Sequence, residues 1–347
     1  MNLGIAFKDF LQSKEISIDF LQNKTLAVDT NNLLYQFLTT IRSRDGNVLT
    51  DSKGSTTSHL VGLFSRTTSL MQKNIKLIFV FDGVYPELKK KEQERRSSLK
   101  KDAHAAYEVA KEQEDLDAMK KYASRTSYLT KEMKDEAKEV INALGFAYID
   151  APSEGEAQAA QLVKDGKAYA VVSQDFDTLL YGPSYLVRNL SIAGKRKKAN
   201  ALAYSVVEPE LISFSDNLNH LGIDREQLII LAMLVGTDYN YGGINGIGPK
   251  KALKLVKQYG HDFDKLFEDV KWSDYYSYNW KEVFDVFMNM PVQKDAKIVE
   301  GILDKDKLYA LLCDKHDFSR ERVDSALGKL VIATKEKTQR GLGEFFS

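Results

Sequence analysis

The sequence predicts an α/β fold with a mostly parallel central sheet flanked by helices, and two observations support this. Short apolar runs rich in β-branched and aromatic residues, typical of buried strands, alternate with long helical patterns. Runs this apolar are typical of parallel strands that helices cover on both faces of a sheet. The runs lie at 26–28, 77–81, 146–149 and 170–172, and a weaker candidate at 185–189 either extends the sheet or pairs antiparallel.

Composition excludes several other classes of protein. With 347 residues and 43% hydrophobic content, the chain can bury one large core or two modest ones. The single cysteine, Cys313, excludes an internal disulfide framework and a cysteine-rich zinc site. No secretion signal is apparent, and no apolar stretch approaches the roughly 20 residues of a membrane span. We therefore expect an intracellular protein of a reducing compartment, without a membrane partner.

The net charge of zero hides a strong segregation of basic residues. The 49 basic and 49 acidic residues balance, yet lysines and arginines concentrate in three clusters. Solvated helix faces explain most such clusters when they stand alone, so the acids near them decide the question. The clusters are Lys89, Lys90, Lys91, Arg95, Arg96, Lys100 and Lys101; Lys195 to Lys198; and Lys250, Lys251, Lys254 and Lys257.

Carboxylates follow each of the four predicted strands, at once or within a few residues. In an open α/β sheet, ligands bind outside the carboxyl ends of the strands, so these acids are expected to meet at one edge. So many carboxylates cannot ionise together unless a cation compensates them. Oxygen ligands without Cys or His favour Mg²⁺ or Mn²⁺, and two such ions can promote phosphodiester hydrolysis. The acids are Asp29, Asp82, Asp150, Glu154, Glu156, Asp175 and Asp177.

Each acid also has an ordinary structural interpretation. Ser153 and Glu156 match a capping box, so Glu156 can be explained as part of a helix N-terminus. Asp29 and Asp82 can cap helices or open turns, and the Asp-x-Asp pattern after the fourth strand also occurs in phosphatases and in plain loops. The joint placement of acids after separate strands favours the metal site.

A polar helical segment occupies residues 84–130. It is dense in Lys, Glu, Arg and Ala, and it has one early proline, Pro86. A helix that is polar nearly all round seldom packs into a core. We interpret the segment as a helical arch above the strand ends, and a solvated hairpin without a role is the alternative.

A phosphate-binding helix-turn-helix unit is predicted at about 224–258. Apolar helical spacing follows the capping residue Asp224, and a glycine-rich turn leads to Pro249 at the start of a lysine-bearing helix. Glycines allow close backbone approach, and a helix N-terminus offers unpaired N–H groups to an anion. An ordinary αα-hairpin with a glycine turn is the alternative.

Five motifs, in this order and spacing, resemble the flap endonuclease family: VDTNNLLYQF, FVFDGVYPELKKKEQERR, PSEGEAQAA, SQDFDTLL and GTDYNYGGINGIGPKKAL. The resemblance covers nearly the whole chain and is greatest to archaeal members. It implies the PIN-like fold of 5′ nucleases with a helical arch and a helix-two-turn-helix unit. It also implies a 5′ flap endonuclease with 5′–3′ exonuclease activity, acting in lagging-strand maturation and base excision repair.

The resemblance implies seven metal ligands for two Mg²⁺ ions, with Mn²⁺ as a substitute. Asp82 and Asp177 are the two acids we also name as catalytic. Asp238 is identified by the GTD motif alone, whereas Asp150 is not a ligand of the family. One side of the site holds Asp29, Asp82, Glu154 and Glu156, and the other holds Asp175, Asp177 and Asp238.

The resemblance also implies DNA contacts. Lys89 and Arg96 contact the scissile phosphate from the arch base, and their i, i+7 spacing puts them on one helix face. Tyr35 stacks on a base, and a core tyrosine is the alternative. The helix-turn-helix unit grips the unbroken strand of the downstream duplex, where family members often hold a monovalent cation. Its contact residues are Gly246, Gly248, Lys250 and Lys251.

The C-terminal residues QRGLGEFF match the pattern by which the family binds a sliding clamp. Two phenylalanines on a polar tail have no core to enter, and an exposed apolar anchor is typical of a partner site. The expected partners are branched DNA and a homo- or heterotrimeric clamp, and the chain itself is expected to be a monomer. A frayed tail without a partner is the alternative. The motif residues are Gln339, Leu342, Phe345 and Phe346.

Two departures from the family are visible. Members commonly begin Met-Gly, whereas this chain begins MNLGIAF. Val84 and Tyr85 replace the usual residues after FDG, and we expect them to alter the arch entrance without touching the metals.

The predicted regions overlap. Residues 259–335 are helical by pattern, and their aromatic residues are assigned to packing. The rival functions are a related exonuclease, a bubble-cutting nuclease and a non-catalytic junction-binding scaffold. The compact chain disfavours the first two rivals, and the complete acid set disfavours the third. The regions are 1–98 and 116–258 for the nuclease, 84–130 for the arch, 259–335 for the C-terminal helices and 339–347 for the clamp-binding tail.

Overall fold

The structure is a computed structural model that describes residues 10–43, 46–113, 115, 118, 122, 126–197 and 204–330, without the side chains of 111, 194–197 and 204–206. The strands of this part are β1 (Lys14–Glu15), β2 (Thr25–Asp29), β3 (Lys76–Phe81), β4 (Ala147–Asp150), β5 (Ala170–Val172), β6 (Tyr185–Arg188), β7 (Gly194–Lys197), β8 (Tyr204–Val207) and β9 (Glu210–Ser213). Seven of them form one sheet in the order β1-β9-β6-β5-β2-β3-β4, and β7 pairs with β8 alone.

The sheet is parallel through its centre. Strand β2 pairs parallel with β3 and β5, while β4 and β6 continue the parallel set on either side. Strand β6 also pairs antiparallel with β9, so both alternatives for the fifth candidate strand are correct. The mostly parallel sheet is therefore confirmed. Strand β9 was not predicted, because only Ile212 among its four residues is fully buried.

Helices cover both faces of the sheet, as expected. Ile78 and Val80 of β3 point into one core, whereas Leu77 and Phe79 point into the other, because successive strand residues face opposite sides. The helices are α1 (Thr30–Thr40), α2 (Ser58–Gln72), α3 (Lys90–Glu112), α4 (Lys131–Ala143), α5 (Gly155–Lys164), α6 (Phe214–Leu221), α7 (Arg225–Val235), α8 (Pro249–Tyr259), α9 (Phe263–Asp269), α10 (Trp280–Met288), α11 (Lys305–Leu308) and α12 (320–330). Helices α5, α7 and α8 pack in the first core, and α1, α2, α4 and α12 pack in the second.

The predicted arch contains one long polar helix, α3. Most of its side chains are exposed or half-buried, and Glu92 is a charged exception that is buried. The helix contacts the loop before α2 through Tyr107, whose hydroxyl donates to Asn47 Oδ1 at 2.8 Å. The helical prediction is therefore confirmed for 90–112.

Two helices, α7 and α8, occupy the segment predicted to form the helix-turn-helix unit. Asp224 caps α7 in a reciprocal capping box with Gln227. The turn that follows is tight, because a Cβ on Gly243 would lie 2.3 Å from the carbonyl carbon of Val235. Only glycine fits there, and the chain then enters α8 at Pro249.

The C-terminal region is only partly helical. The helical prediction is wrong for 289–304, where the chain runs without regular structure and bonds to the turn after α4: Gly301 N donates to Gly145 O at 3.0 Å. The packing role of the aromatic residues is confirmed for Trp272, which is buried against Phe267. The division into regions stays a prediction. No helix in the described ranges combines the length and apolar character needed to cross a membrane.

Candidate active site

The predicted acids converge at the carboxyl edge of the parallel sheet. Asp29 ends β2 and Asp82 follows β3 directly, while two acids precede or open α5 and two more follow β5. The acids are close enough to influence one another. The charges of Asp82 and Asp175 raise the pKa of Asp29, and the charges of Asp175 and Asp238 raise the pKa of Asp177. We call this set the acid cluster. Its members are Asp29, Asp82, Glu154, Glu156, Asp175, Asp177 and Asp238.

Asp29 lies at the buried base of the acid cluster. Its Oδ1 accepts from Asn32 N at 3.1 Å, which caps α1, and its Oδ2 accepts from Ser173 Oγ at 3.0 Å. The capping interpretation is therefore correct and coexists with membership of the cluster. Burial and then the charge of Asp82 raise the pKa of Asp29 to about 7.

Asp82 is held by three hydrogen-bond donors. Gly155 N donates to Oδ1 at 2.7 Å, while Asn31 Nδ2 and the Tyr85 hydroxyl donate to Oδ2 at 2.6 and 2.8 Å. A Cβ on Gly155 would lie 2.6 Å from Oδ1, so the close approach requires glycine. Tyr85 therefore contacts a predicted ligand, and the expectation that Val84 and Tyr85 do not touch the metals stays a prediction.

Lys89 enters the acid cluster from the arch base. Its Nζ lies 2.8 and 2.9 Å from the two oxygens of Glu154 and 3.4 Å from Asp238 Oδ2. Burial acts to lower the pKa of Lys89, but the charges of Glu154 and Asp238 outweigh it and raise the pKa. Tyr239 also donates to Glu154, at 3.0 Å. Lys89 thus compensates two carboxylates on one side of the cluster.

Arg96 approaches the same side from the next turns of α3. Its guanidinium donates to Asp238 and, at 2.7 Å, to the buried Glu92. Lys89 and Arg96 therefore both reach Asp238, in agreement with the predicted common face.

Within the described part of the chain, Lys89 and Arg96 pair with Glu154 and Asp238, and no ion pair joins a basic side chain to Glu156 or Asp177. Glu156 Oε1 accepts from Thr178 Oγ1 at 3.1 Å, and Asp177 Oδ1 is buried with no hydrogen-bond partner among the described residues. Burial, followed by neighbouring carboxylates, raises the pKa of both acids well above their ordinary range. The capping box with Ser153 is wrong, since the Ser153 hydroxyl donates to Val84 O at 2.8 Å instead.

The residues have the donor atoms of a divalent metal site, but their side chains are not arranged around a common ion position. Within the described residues, no three His, Cys, Asp or Glu side chains form a ready-made ion site. Lys89 and Arg96 engage Glu154 and Asp238, which accounts for that difference. The unpartnered Asp177 Oδ1 and the raised pKa values of Asp29, Glu156 and Asp177 fit a site that takes up a cation. An oxygen-only donor set suits Mg²⁺ or Mn²⁺.

Tyr35 lies on α1 at the surface. Its side chain is 36% exposed, and Lys100 Nζ lies 4.9 Å from the centre of its ring. The core-tyrosine alternative is therefore wrong. The ring is accessible to a base, and its stacking stays a prediction.

The turn before α8 presents an open face. A Cβ added to Gly246 or Gly248 would lie in empty space, and Lys250 and Lys251 are exposed in the first turn of the helix. The DNA contacts of these residues stay predictions. The clamp-binding residues Gln339, Leu342, Phe345 and Phe346 lie outside the described residues.

Sequence reasoning missed several residues that hold the site together. Asn31, Glu92 and Tyr239 each bond to a predicted ligand or to a basic residue at the arch base. Asn31 and Tyr239 adjoin motif acids in sequence, which was the available signal. Glu92 had none, because a glutamate among lysines and arginines resembles any solvated helix.

Two domain families match the chain: the XPG N-terminal domain over residues 5–103 and the XPG I-region over residues 145–238. Flap endonuclease 1 of Staphylothermus marinus is 43% identical, covering 99% of this chain and 100% of that protein. The chain belongs to the flap endonuclease 1 family. The same enzyme of Pyrococcus furiosus is 44% identical over 99% of each chain.

A solved structure of a family member supports the fold. The flap endonuclease of Methanococcus jannaschii aligns with a TM-score of 0.74 and 38% identity, covering 95% of this chain and 99% of that one. The predicted resemblance and the predicted structure-specific nuclease are thereby confirmed. Nucleases of this family are metal-dependent.

Proposed function

We propose that this chain cuts DNA at the base of 5′ single-stranded flaps by two-metal hydrolysis at the acid cluster. The observation that carries the proposal is the gathering of seven carboxylates from separate segments, with the Asp177 Oδ1 atom left unpartnered. Burying so many acids together costs stability unless cations compensate them. Mg²⁺ is the proposed ion, with Mn²⁺ as a substitute.

The acid cluster would hold two ions. Asp29, Asp82, Glu154 and Glu156 would face the first, and Asp175, Asp177 and Asp238 the second. When bound, the ions supply a water nucleophile of lowered pKa and stabilise the charge of the leaving oxygen. The residues themselves orient that chemistry and, through burial, limit access of bulk water.

Lys89 and Arg96 would change partners when ions and DNA bind. Both now compensate carboxylates, and cations would relieve them of that role. Each could then turn toward the scissile phosphate, where Arg in particular binds oxygens in a bidentate manner. Their placement at the edge of the acid cluster supports this exchange.

DNA would bind on both sides of the acid cluster. Tyr35 offers an exposed ring on which a base of the cleaved strand could stack, a contact worth roughly 1–3 kcal/mol. The N-terminus of α8, with Gly246, Gly248, Lys250 and Lys251, would hold phosphates of the unbroken strand, together with a monovalent cation.

The cellular role is also part of the proposal. A monomer acting within the cell on nicked, gapped or flapped duplexes would serve lagging-strand maturation and base excision repair, with 5′–3′ exonuclease action at nicks. The tail at 339–347 would recruit the enzyme to a trimeric sliding clamp. Removing 339–347 should abolish clamp stimulation and leave unstimulated cleavage intact; equal stimulation of the truncated chain would contradict the tail assignment.

Substitution of the acids tests the mechanism. We expect Asp82→Ala or Asp177→Ala with Mg²⁺ to abolish cleavage of a labelled 5′ flap and to spare DNA binding. Asp150→Ala is the matched control, since Asp150 lies at the same sheet edge but pairs with Lys138 at 2.6 Å. Cleavage by either cluster variant at the wild-type rate would refute the assignment.

A substrate panel tests the specificity. Initial rates on a double-flap junction, a blunt duplex and a bubble should rank the flap first. A preference for the bubble would favour the bubble-cutting alternative, and a preference for the blunt duplex would favour a pure exonuclease.

A further inference from the structure

Tyr85 lies between the acid cluster and the arch. It follows β3 by four residues, and it is 37% exposed. Its hydroxyl donates to Asp82 Oδ2 at 2.8 Å, and Lys89 Nζ lies 4.9 Å from the centre of its ring. One side chain therefore contacts both a proposed ligand and a proposed phosphate-binding lysine.

The hydrogen bonds around Asp82 leave little freedom to its carboxylate. An ionised carboxylate has about four acceptor positions. Gly155 N takes one on Oδ1, while Asn31 and Tyr85 take two on Oδ2, so the position that stays open is on Oδ1. Hydrogen bonds of this kind orient metal-binding carboxylates and raise metal affinity.

The ring of Tyr85 has a second contact. A cation above an aromatic face within about 6 Å is attracted by the ring quadrupole. That attraction holds the Lys89 ammonium over the ring and within reach of Glu154 and Asp238.

We propose that Tyr85 is a positioning residue of this enzyme: its hydroxyl fixes Asp82 with Oδ1 toward the first metal, and its ring holds Lys89 at the cleft. The inference rests on the proposed metal site and adds a residue to it.

Two substitutions separate the two contacts. Tyr85→Phe removes the hydroxyl and keeps the ring, whereas Tyr85→Ala removes both. Tyr148→Phe is the matched control, because Tyr148 is 39% exposed, on β4, and is not part of the acid cluster. Thermal melting of the metal-free proteins checks that each variant folds.

The experiment measures Mg²⁺ binding to the DNA-free protein by calorimetry, together with single-turnover cleavage across Mg²⁺ concentrations. We expect Tyr85→Phe to weaken Mg²⁺ binding about 10-fold. Its cleavage rate at saturating Mg²⁺ and its DNA affinity in Ca²⁺ should stay within about twofold of wild type, since the ring still supports Lys89. Tyr85→Ala should show the same loss of Mg²⁺ affinity and, in addition, a lower saturated rate.

The outcomes are distinguishable. A Tyr85→Phe variant that binds Mg²⁺ as Tyr148→Phe does, or more tightly than wild type, would overturn the role of the hydroxyl. An unchanged saturated rate in Tyr85→Ala would overturn the role of the ring. The proposed metal site fails, and the inference with it, if the wild-type protein binds no Mg²⁺ or if its Mg²⁺ binding survives in Asp177→Asn.

Discussion

At the carboxyl edge of the sheet several buried carboxylates face one another, whereas in a second group of side chains the carboxylates of Asp51 and Glu136 each face a base. His316 bridges two acids there, with Nδ1 2.9 Å from Asp51 Oδ2 and Nε2 3.1 Å from Glu136 Oε1. Lys315 Nζ lies 2.9 Å from Glu136, and His59 Nε2 lies 3.6 Å from it. We call these five residues the histidine network.

The two groups of acids have opposite electrostatics. The contact with His59 and then the hydrogen bond with Lys315 lower the pKa of Glu136 to about 2, against the effect of burial. Burial and repulsion instead raise the pKa of Asp29 to about 7. Paired acids stabilise a fold, while unpaired buried acids destabilise it and are retained where a bound cation uses them. The contrast concerns Asp29, Glu156 and Asp177, because two other members of the acid cluster, Glu154 and Asp238, are paired with Lys89 and Arg96.

The largest expected effect is on catalysis. Asp177→Asn should lower single-turnover cleavage at least about 10³-fold, because the second ion loses a ligand charge. The same change should raise the melting temperature of the metal-free protein by roughly 2 °C, because it removes a buried, repelled charge. A lower melting temperature would break the comparison, since Asp177 would then be stabilising.

The histidine network should respond in the opposite way. Glu136→Gln should cost about 2 kcal/mol of stability, because charge-assisted hydrogen bonds to Lys315 and His316 are lost. Flap cleavage below the melting temperature should stay within about threefold of wild type. Denaturant unfolding measures the first effect; an unchanged midpoint would show that the network contributes nothing.

The pH dependence of stability should divide the two groups. Asp29 has a raised pKa, so its ionisation destabilises the folded protein. Stability therefore falls as the pH rises from 3.8, the pKa of Asp29 in the unfolded chain, toward about 7, its pKa in the folded protein. Glu136 has a lowered pKa, so it stabilises the folded protein at pH values above 4.5, its pKa in the unfolded chain. This stabilisation is lost as the pH falls toward about 2. The metal-free protein should therefore melt at a higher temperature at about pH 5 than at about pH 8.

Mg²⁺ sharpens that pH test. Because the ions compensate ionised carboxylates, excess Mg²⁺ should raise the melting temperature more at the higher pH, by an amount set by its affinity. Glu136→Gln should keep this Mg²⁺ effect, and Asp177→Asn should lose most of it. Equal Mg²⁺ effects at both pH values would argue against ions at the acid cluster.

The smallest expected effect is at Asp150. This acid ends β4 at the same edge of the sheet, yet it is mostly exposed and paired with Lys138. Exposed ion pairs contribute about 0–1 kcal/mol, so Asp150→Asn should change stability by no more than that and leave Mg²⁺ binding unaltered. A clear loss of Mg²⁺ affinity would mean that position at the sheet edge, and not burial, selects the ligands.

Much of the acid cluster was predictable because parallel strands end at a common edge. Asp29, Asp82 and Asp175 follow from that rule alone. Asp238 does not, since it follows a helix, and only the resemblance identified it. The fold brings it in through the turn after α7, where Gly236 and Gly243 lie against each other.

Local rules failed where distant segments compete for the same atoms. The Ser153 capping box is absent because 152–153 pair with the backbone after β3, as in Gly83 N donating to Ser153 O at 2.7 Å. The helical prediction failed at 289–304 because that chain bonds to the turn at Gly145. Neither partner is near in sequence, so no periodicity could reveal it.

The sequence by itself determined the alternation of strands and helices and the carboxylates that end the strands, because periodicity and strand direction are local properties. Only the tertiary structure decided which acids are paired, through contacts such as Lys89 with Glu154, His316 with Asp51 and Tyr85 with Asp82. Pairing depends on side chains that meet across the fold and on their burial, and neither can be read from one segment of the chain.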